Sequence, residues 1–131
     1  MVFVAFRDAS GRFRARVPSS WRIDRHPHGA TVFSDQRWFE QVSVSVAAVA
    51  GPPGATCWRP LLDFPDILHE LGGGSLARTW NGVHGASLFV VTHTFPALWG
   101  ALPRDQVTLL LTTLEFSGAP APPPALPTLH A

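Results

Sequence analysis

The sequence predicts one α+β domain in which an antiparallel sheet of about five to seven strands packs against two helices. Valine alternates with serine or alanine over residues 42–49, a pattern typical of a strand with one packed and one polar face. Residues 1–17 and 75–94 each hold two strand-like runs about a turn. Residues 57–71 and 103–114 carry apolar side chains at helical spacing.

Length and composition set the boundaries of this domain. The chain has 131 residues, of which 46% are hydrophobic and 15% charged, and this excludes a disordered chain, a coiled coil or a collagen-like repeat. The prediction is a domain over residues 1–116, followed by a disordered tail rich in proline and alanine over 117–131. No apolar stretch approaches the roughly 20 residues of a membrane-spanning helix. The apolar start Met1–Phe6 is too short for an export signal, so a cytoplasmic location is expected.

The N-terminal hairpin consists of Val2–Phe6 and Arg12–Val17 around the turn Asp8–Gly11. Pairing Arg7 with Arg12 places Phe6 opposite Phe13 and directs the apolar side chains to one face. The opposite face of the second strand then presents a row of three arginines. These are Arg12, Arg14 and Arg16.

The remaining elements follow in chain order. Residues 24–30 are predicted to be a loop, 31–34 and 42–49 strands, and 57–63 a helical turn. A short helix is expected from Pro65, capped by Asp63 and ended by the glycines 72–74. The Asn81-Gly82 dipeptide predicts a tight hairpin with Trp80 opposite Val83. The second helix begins near Pro103, and its apolar stripe comprises Val107, Leu110, Leu111 and Leu114.

Charge is distributed unevenly along the chain. The net charge is +1, yet the first 37 residues hold seven arginines against three acids, a net of +4. Alternate arginines on one strand lie about 6.6–7 Å apart, close to the phosphate repeat of an extended nucleic acid. With aromatic side chains nearby in sequence, this row supports a single-stranded nucleic-acid-binding surface as one alternative. An acidic protein partner is favoured over a nucleic acid, because a net charge of +1 makes the chain only weakly basic.

The motifs of metal sites and enzymes are absent from the sequence. His26 and His28 lie in one loop, but no CxxC, HExxH or HxxxH pattern accompanies them, so neither a metal nor a cofactor is expected. Cys57 is the only cysteine; it is either a small apolar filler or, as the enzyme alternative requires, a nucleophile at the start of a helical segment. Asp66 and Glu70 would share a helix face as paired acids in a small hydrolase-like enzyme.

Two segments carry a resemblance to a known family. Phe6–Phe13 running into Val17–Trp21, and the closing run Gln106–Phe116, resemble the PsbP-like superfamily over residues 2–116. That superfamily includes the extrinsic photosystem II protein, the Mog-type Ran-binding proteins and bacterial relatives. Ser20 stands where glycine is more usual. The resemblance implies an antiparallel sheet flanked by helices, a protein-binding role, and no shared catalytic set.

The predicted function is therefore a non-enzymatic protein-binding module of the adaptor or chaperone type, with a protein as its partner. Large aromatic side chains and arginines are the residues that most often dominate such interfaces. At least two of the tryptophans are nevertheless expected in the core. The candidate binding residues are Arg12, Arg14, Arg16, Trp21, Trp38, Trp58 and Trp99.

Overall fold

The computed structural model of the protein describes residues 2–35, 39–50, 58–99 and 105–118. Over these residues the chain forms ten strands, one α-helix and two short 3-10 helices at Leu61–Asp63 and Ala97–Trp99. The strands are β1 (Phe3–Arg7), β2 (Phe13–Pro18), β3 (Arg22–Arg25), β4 (Ala30–Asp35), β5 (Glu40–Ala48), β6 (Trp58–Pro60), β7 (Asp66–Gly72), β8 (Ser75–His84), β9 (Ser87–Pro96) and β10 (Glu115–Ser117). The helix α1 is Asp105–Thr113.

The strands form two antiparallel sheets. The small sheet has the order β1-β2-β10-β6, and the large sheet has the order β3-β4-β5-β9-β8-β7. Side chains of both sheets and of α1 contribute to one hydrophobic core. The α+β class is confirmed, but the described strands divide into two sheets rather than one, and the described part of the chain holds one α-helix rather than two.

The N-terminal hairpin keeps its predicted faces in a different register. Phe6 pairs with Ala15 and Arg7 with Arg14, two residues along β2 from the predicted pairing. An even shift leaves every side chain on its predicted face. The turn is longer than predicted: the Asp8 N–H donates to Phe13 O at 3.0 Å, and Gly11 adopts a φ of 72°. Arg12 consequently lies in the turn connection, outside the ladder that joins β1 to β2.

A further strand overlaps the start of the loop predicted for residues 24–30. Residues 22–25 form β3, the edge strand that pairs with β4. Its sequence, Arg-Ile-Asp-Arg, has a single apolar side chain, so no hydrophobic alternation identifies it. An edge strand rich in charge is a common protection against pairing with other chains.

The prediction of a short helix from Pro65 is wrong. Residues 58–60 form β6, and 66–72 form β7, an edge strand of the large sheet paired with β8. Leu61 is fully buried, whereas Leu68 and Leu71 in β7 are both exposed. The apolar spacing of this segment is therefore not a helical stripe facing the core.

The predicted Asn81-Gly82 turn is also wrong. β8 continues through both residues to His84, Trp80 pairs with Val91, and the turn lies at Gly85, whose φ is 56°. A Cβ on Gly82 would lie 3.1 Å from Phe64 Cδ1 and 3.1 Å from Phe89 Cζ. This glycine therefore permits the close approach of two phenylalanine rings rather than a change of chain direction.

The second predicted helix is confirmed in α1. Its four stripe residues, Val107, Leu110, Leu111 and Leu114, are all buried in the common core. The helix packs along β2 and against the 3-10 turn Leu61–Asp63. Among the described residues, no helix has the length and hydrophobicity to cross a membrane. The predicted tail falls almost wholly outside the described residues, since only Ser117 and Gly118 belong to them.

Candidate functional site: the arginine groove

An open groove lies on the outer face of the small sheet, beside the C-terminal end of α1. Its volume is about 470 Å³. Three of its lining residues are arginines, and we call this surface the arginine groove. Its principal residues are Ala5, Arg7, Arg14, Arg16, Thr113 and Glu115.

Arg14 occupies a fixed position in the arginine groove. Its Nε donates to Glu115 Oε1 at 3.1 Å, across the pairing of β2 with β10. Its guanidinium carbon lies 4.0 Å from the centroid of the Trp58 ring. A cation over an indole face gains electrostatic attraction from the ring, and the stack also fixes the plane of the guanidinium. Trp58 is therefore half-buried beneath Arg14.

Arg7 and Arg16 stand on either side of this fixed arginine. Arg7 is directly opposite Arg14 on the neighbouring strand, and Arg16 is opposite Ala5. The Arg16 backbone N–H donates to Thr113 Oγ1 at 2.9 Å, which attaches β2 to the end of α1. Both side chains are exposed, and within the described ranges neither guanidinium forms an ion pair.

Arg12 does not belong to the exposed row, which corrects the prediction. It is 5% exposed, and its Nη1 donates to Ala86 O at 2.9 Å and to Ser87 Oγ at 3.0 Å. Ser87 Oγ in turn donates to Ser117 O at 2.8 Å, and the Ser117 N–H donates to Arg12 O at 2.8 Å. Arg12 therefore connects the N-terminal hairpin to the β8–β9 turn and to β10, a structural role inside the molecule.

The predicted tryptophans do not form one surface. Trp21 is buried in the core, which excludes it from a binding face. Trp58 borders the arginine groove through its contact with Arg14. Trp38 and the side chain of Trp99 lie outside the described part of the structure. Trp80, which was not among the candidates, is a core residue.

The residues of the enzyme alternative are not brought together. Asp66 and Glu70 lie on one face of the exposed edge strand β7, while His69 lies on the other face with its Nε2 3.0 Å from Thr79 Oγ1. Cys57 is outside the described residues. The rings of His26 and His28 stack with centroids 6.3 Å apart, and no group of three potential metal ligands occurs among the described residues.

A buried polar pair was not predicted at all. His93 Nε2 lies 2.8 Å from Glu40 Oε2, and both side chains are almost fully buried between β5 and β9. The two residues are 53 positions apart, so no local pattern connects them. An imidazole beside a carboxylate can transfer protons. His93 is 2% exposed, and its partner Glu40 also lines the smaller cavity beside the β4–β5 hairpin. The pair links β5 to β9 inside the large sheet.

A second, smaller cavity opens beside the β4–β5 hairpin. It has a volume of about 340 Å³ and is lined by residues on both arms of the hairpin, Ser34, Asp35, Phe39, Glu40 and Gln41. Phe39 is 84% exposed and adopts a φ of 55°, in the left-handed region. Asp35 and Glu40 are buried at its base.

Comparisons with known proteins bear on the fold alone. No protein-family model and no curated protein matches the chain. Among the solved structures that match is a crystal structure of a protein from Bacteroides thetaiotaomicron VPI-5482, with a TM-score of 0.63 and 13% sequence identity. The match covers 88% of this chain and 49% of the other, so this chain spans about half the length of the structure that it resembles.

Proposed function

We propose that this chain is a non-enzymatic protein-binding module of the adaptor or chaperone type and that the arginine groove is its binding surface. The observation that carries the proposal is the convergence of Arg7, Arg14 and Arg16 on one open groove in which Glu115 is the only carboxylate among the described lining residues. The resemblance of residues 2–116 to the PsbP-like superfamily supports the same class of function, and membership of that superfamily is part of the proposal.

The charge of the groove favours an anionic partner. Arg7 and Arg14 are directly opposite on adjacent strands, and like charges in that position destabilise a sheet. Glu115 balances one of the three positive charges. An acidic ligand would relieve the remaining repulsion, and such complementarity contributes mainly to specificity and to the rate of association.

The side chains of the groove support binding rather than catalysis. The Thr113 hydroxyl donates to Leu109 O at 2.9 Å and accepts from the Arg16 backbone, so it is already engaged. Glu115 is held by Arg14. Within the described lining, no histidine or cysteine stands beside these groups as a base or a nucleophile.

A pull-down with the whole chain tests the proposal. The bait is compared with Arg16→Glu, which reverses one charge of the groove, and with Arg22→Glu, a matched control on the exposed edge strand of the other sheet. We expect a protein of the native host to be retained by the wild type and by the control and lost with Arg16→Glu. Equal retention by all three would contradict the groove as the binding surface, and a captured nucleic acid would favour the alternative function.

A further inference from the structure

We infer that the arginine groove takes an extended acidic segment of a partner protein, one with carboxylates at alternate positions. This inference rests on the proposed function and specifies the chemistry of the partner. It follows from the spacing of the arginines, the carboxylate already present in the groove, and the small exposed aromatic area of the described lining.

The spacing of the two open arginines matches an extended peptide. Arg7 is opposite Arg14, and Arg16 lies two residues further along β2, so Arg7 and Arg16 are diagonal neighbours. Diagonal neighbours in an antiparallel sheet are about 7–8 Å apart. In an extended chain, every second side chain points to the same side with a repeat of about 6.6–6.8 Å. Two alternate carboxylates can therefore meet Arg7 and Arg16 together.

The floor of the groove leaves room for a peptide backbone. Ala5 is the cross-strand partner of Arg16. On the face of β1 that carries Phe3 and Arg7, the methyl group of Ala5 is the only side chain between these two residues. Thr112 and Thr113, at the end of α1, line the groove beside this floor. A narrow chain fits this shape better than a compact folded surface.

Glu115 shows the kind of contact that the groove supports. Its carboxylate lies 3.1 Å from Arg14 Nε, and the guanidinium is held in place by Trp58. Hydrogen bonds between arginine and a carboxylate are about twice as strong as those between neutral groups. Because the Glu115 carboxylate already binds the Arg14 guanidinium, the carboxylates of a partner would bind Arg7 and Arg16, which flank Arg14.

The spacing of the charges also fits a nucleic acid. The exposure of the aromatic residues distinguishes a nucleic-acid ligand from a peptide ligand. Binding of single strands without sequence preference depends on bases that stack on exposed aromatic faces. The ring of Trp58, the aromatic residue in contact with the groove arginines, has a face covered by Arg14. Trp21, a candidate binding residue from the sequence, is buried in the core. Phe6 is the aromatic residue in the described lining and is 6% exposed, and Phe3, on the same face as Ala5, is half-buried. The described lining therefore offers charge with little exposed aromatic surface, which favours a peptide.

Fluorescence anisotropy of labelled probes tests this inference on the whole chain. The probes are a peptide in which glutamate alternates with threonine, a peptide of the same composition with its glutamates in one block, and an oligothymidylate of equal charge. We expect the alternating peptide to bind most tightly, with an affinity that falls as salt rises. Arg7→Glu and Arg16→Glu should each weaken it about tenfold or more, because repulsion replaces a charge-assisted contact, and Arg22→Glu should leave it unchanged.

Each other outcome contradicts the inference. Tighter binding of the oligothymidylate would assign the groove to nucleic acid, and equal binding of the block peptide would exclude the alternate spacing. No binding of the alternating peptide would contradict the inference, and a melting temperature lowered by Arg16→Glu would then assign Arg16 a stabilising role at the C-terminal end of α1. If the native partner still depends on Arg16 in the pull-down, the inference alone fails and the proposed function stands. If binding of the native partner does not depend on Arg16, both the inference and the proposed function fail.

Discussion

Arg12 shows how a charged side chain can serve the interior of a small domain. A buried charge is costly unless hydrogen bonds compensate for the loss of water. The Arg12 guanidinium donates to Ala86 O and Ser87 Oγ, and Ser87 carries the network on to Ser117. Arg14 and Arg16, two and four residues further on, lie on the outer face of β2. A shift of Arg12 out of the ladder thus separates a structural arginine from two that are available to a partner.

We predict that Arg12→Met lowers the free energy of unfolding by about 1.5–3 kcal/mol, the range for a hydrogen bond to a charged group, because its removal leaves buried acceptors unsatisfied. Methionine retains much of the apolar stem while removing the donors. Urea unfolding followed by circular dichroism measures the change, with Arg22→Met on an exposed strand as the control. A loss no larger than that of the control would contradict the role assigned to Arg12.

Elements defined by local patterns could be predicted from the sequence, and elements defined by their partners could not. The valine alternation of β5 and the apolar stripe of α1 each follow from the period of one element, and both are present. All seven residues of β7 are exposed, so its sequence shows no alternation of buried and exposed side chains. Its extended conformation is determined by its pairing with β8. β3 likewise exists through its pairing with β4.

The same distinction applies to the candidate site. The outward direction of Arg14 and Arg16 follows from alternation along β2, which the sequence shows. Arg7, Glu115 and Trp58 join them only through the hairpin register and the pairing of β10 with both β2 and β6. Those contacts span up to about a hundred positions of sequence, as in the pair Arg14–Glu115 with its separation of 101, and no local pattern encodes them.

Gly82 gives a test at the level of the strand. We predict that Gly82→Val destabilises the protein by about 1–3 kcal/mol, the cost of overpacking, because its Cβ would crowd Phe64 and Phe89. Asn81→Val is the matched control: it adds the same side chain one position earlier, where the residue is exposed, and should change stability by no more than about 0.5 kcal/mol. If the two valines behaved alike, the close approach of the rings would not explain this glycine.

At the scale of the whole molecule, the two sheets share one core. Phe6 of the small sheet packs edge-to-face against Phe33 of the large sheet, with ring centroids 5.1 Å apart. Phe116 stacks on Phe89 at 4.0 Å. Neither sheet buries its inner face without the other, so we expect the described part of the chain to unfold as one cooperative unit.

We predict a single unfolding transition for this unit. Differential scanning calorimetry should give equal calorimetric and van 't Hoff enthalpies, as expected of a single domain of this size. Tryptophan fluorescence and far-ultraviolet circular dichroism should report the same midpoint. Two resolved transitions, or midpoints that differ between the probes, would show that the sheets unfold separately.

The place of β10 within the small sheet has a consequence for how the protein is made. β10 lies between β2 and β6, and Gly118 O accepts from the Ala86 N–H. During synthesis, the N-terminal hairpin is therefore complete long before the strand that it must join has left the ribosome. Until residue 117 emerges, Phe13 lacks the aromatic neighbour Phe116, at 6.3 Å in the folded protein, and the nascent chain exposes apolar surface that a chaperone can bind.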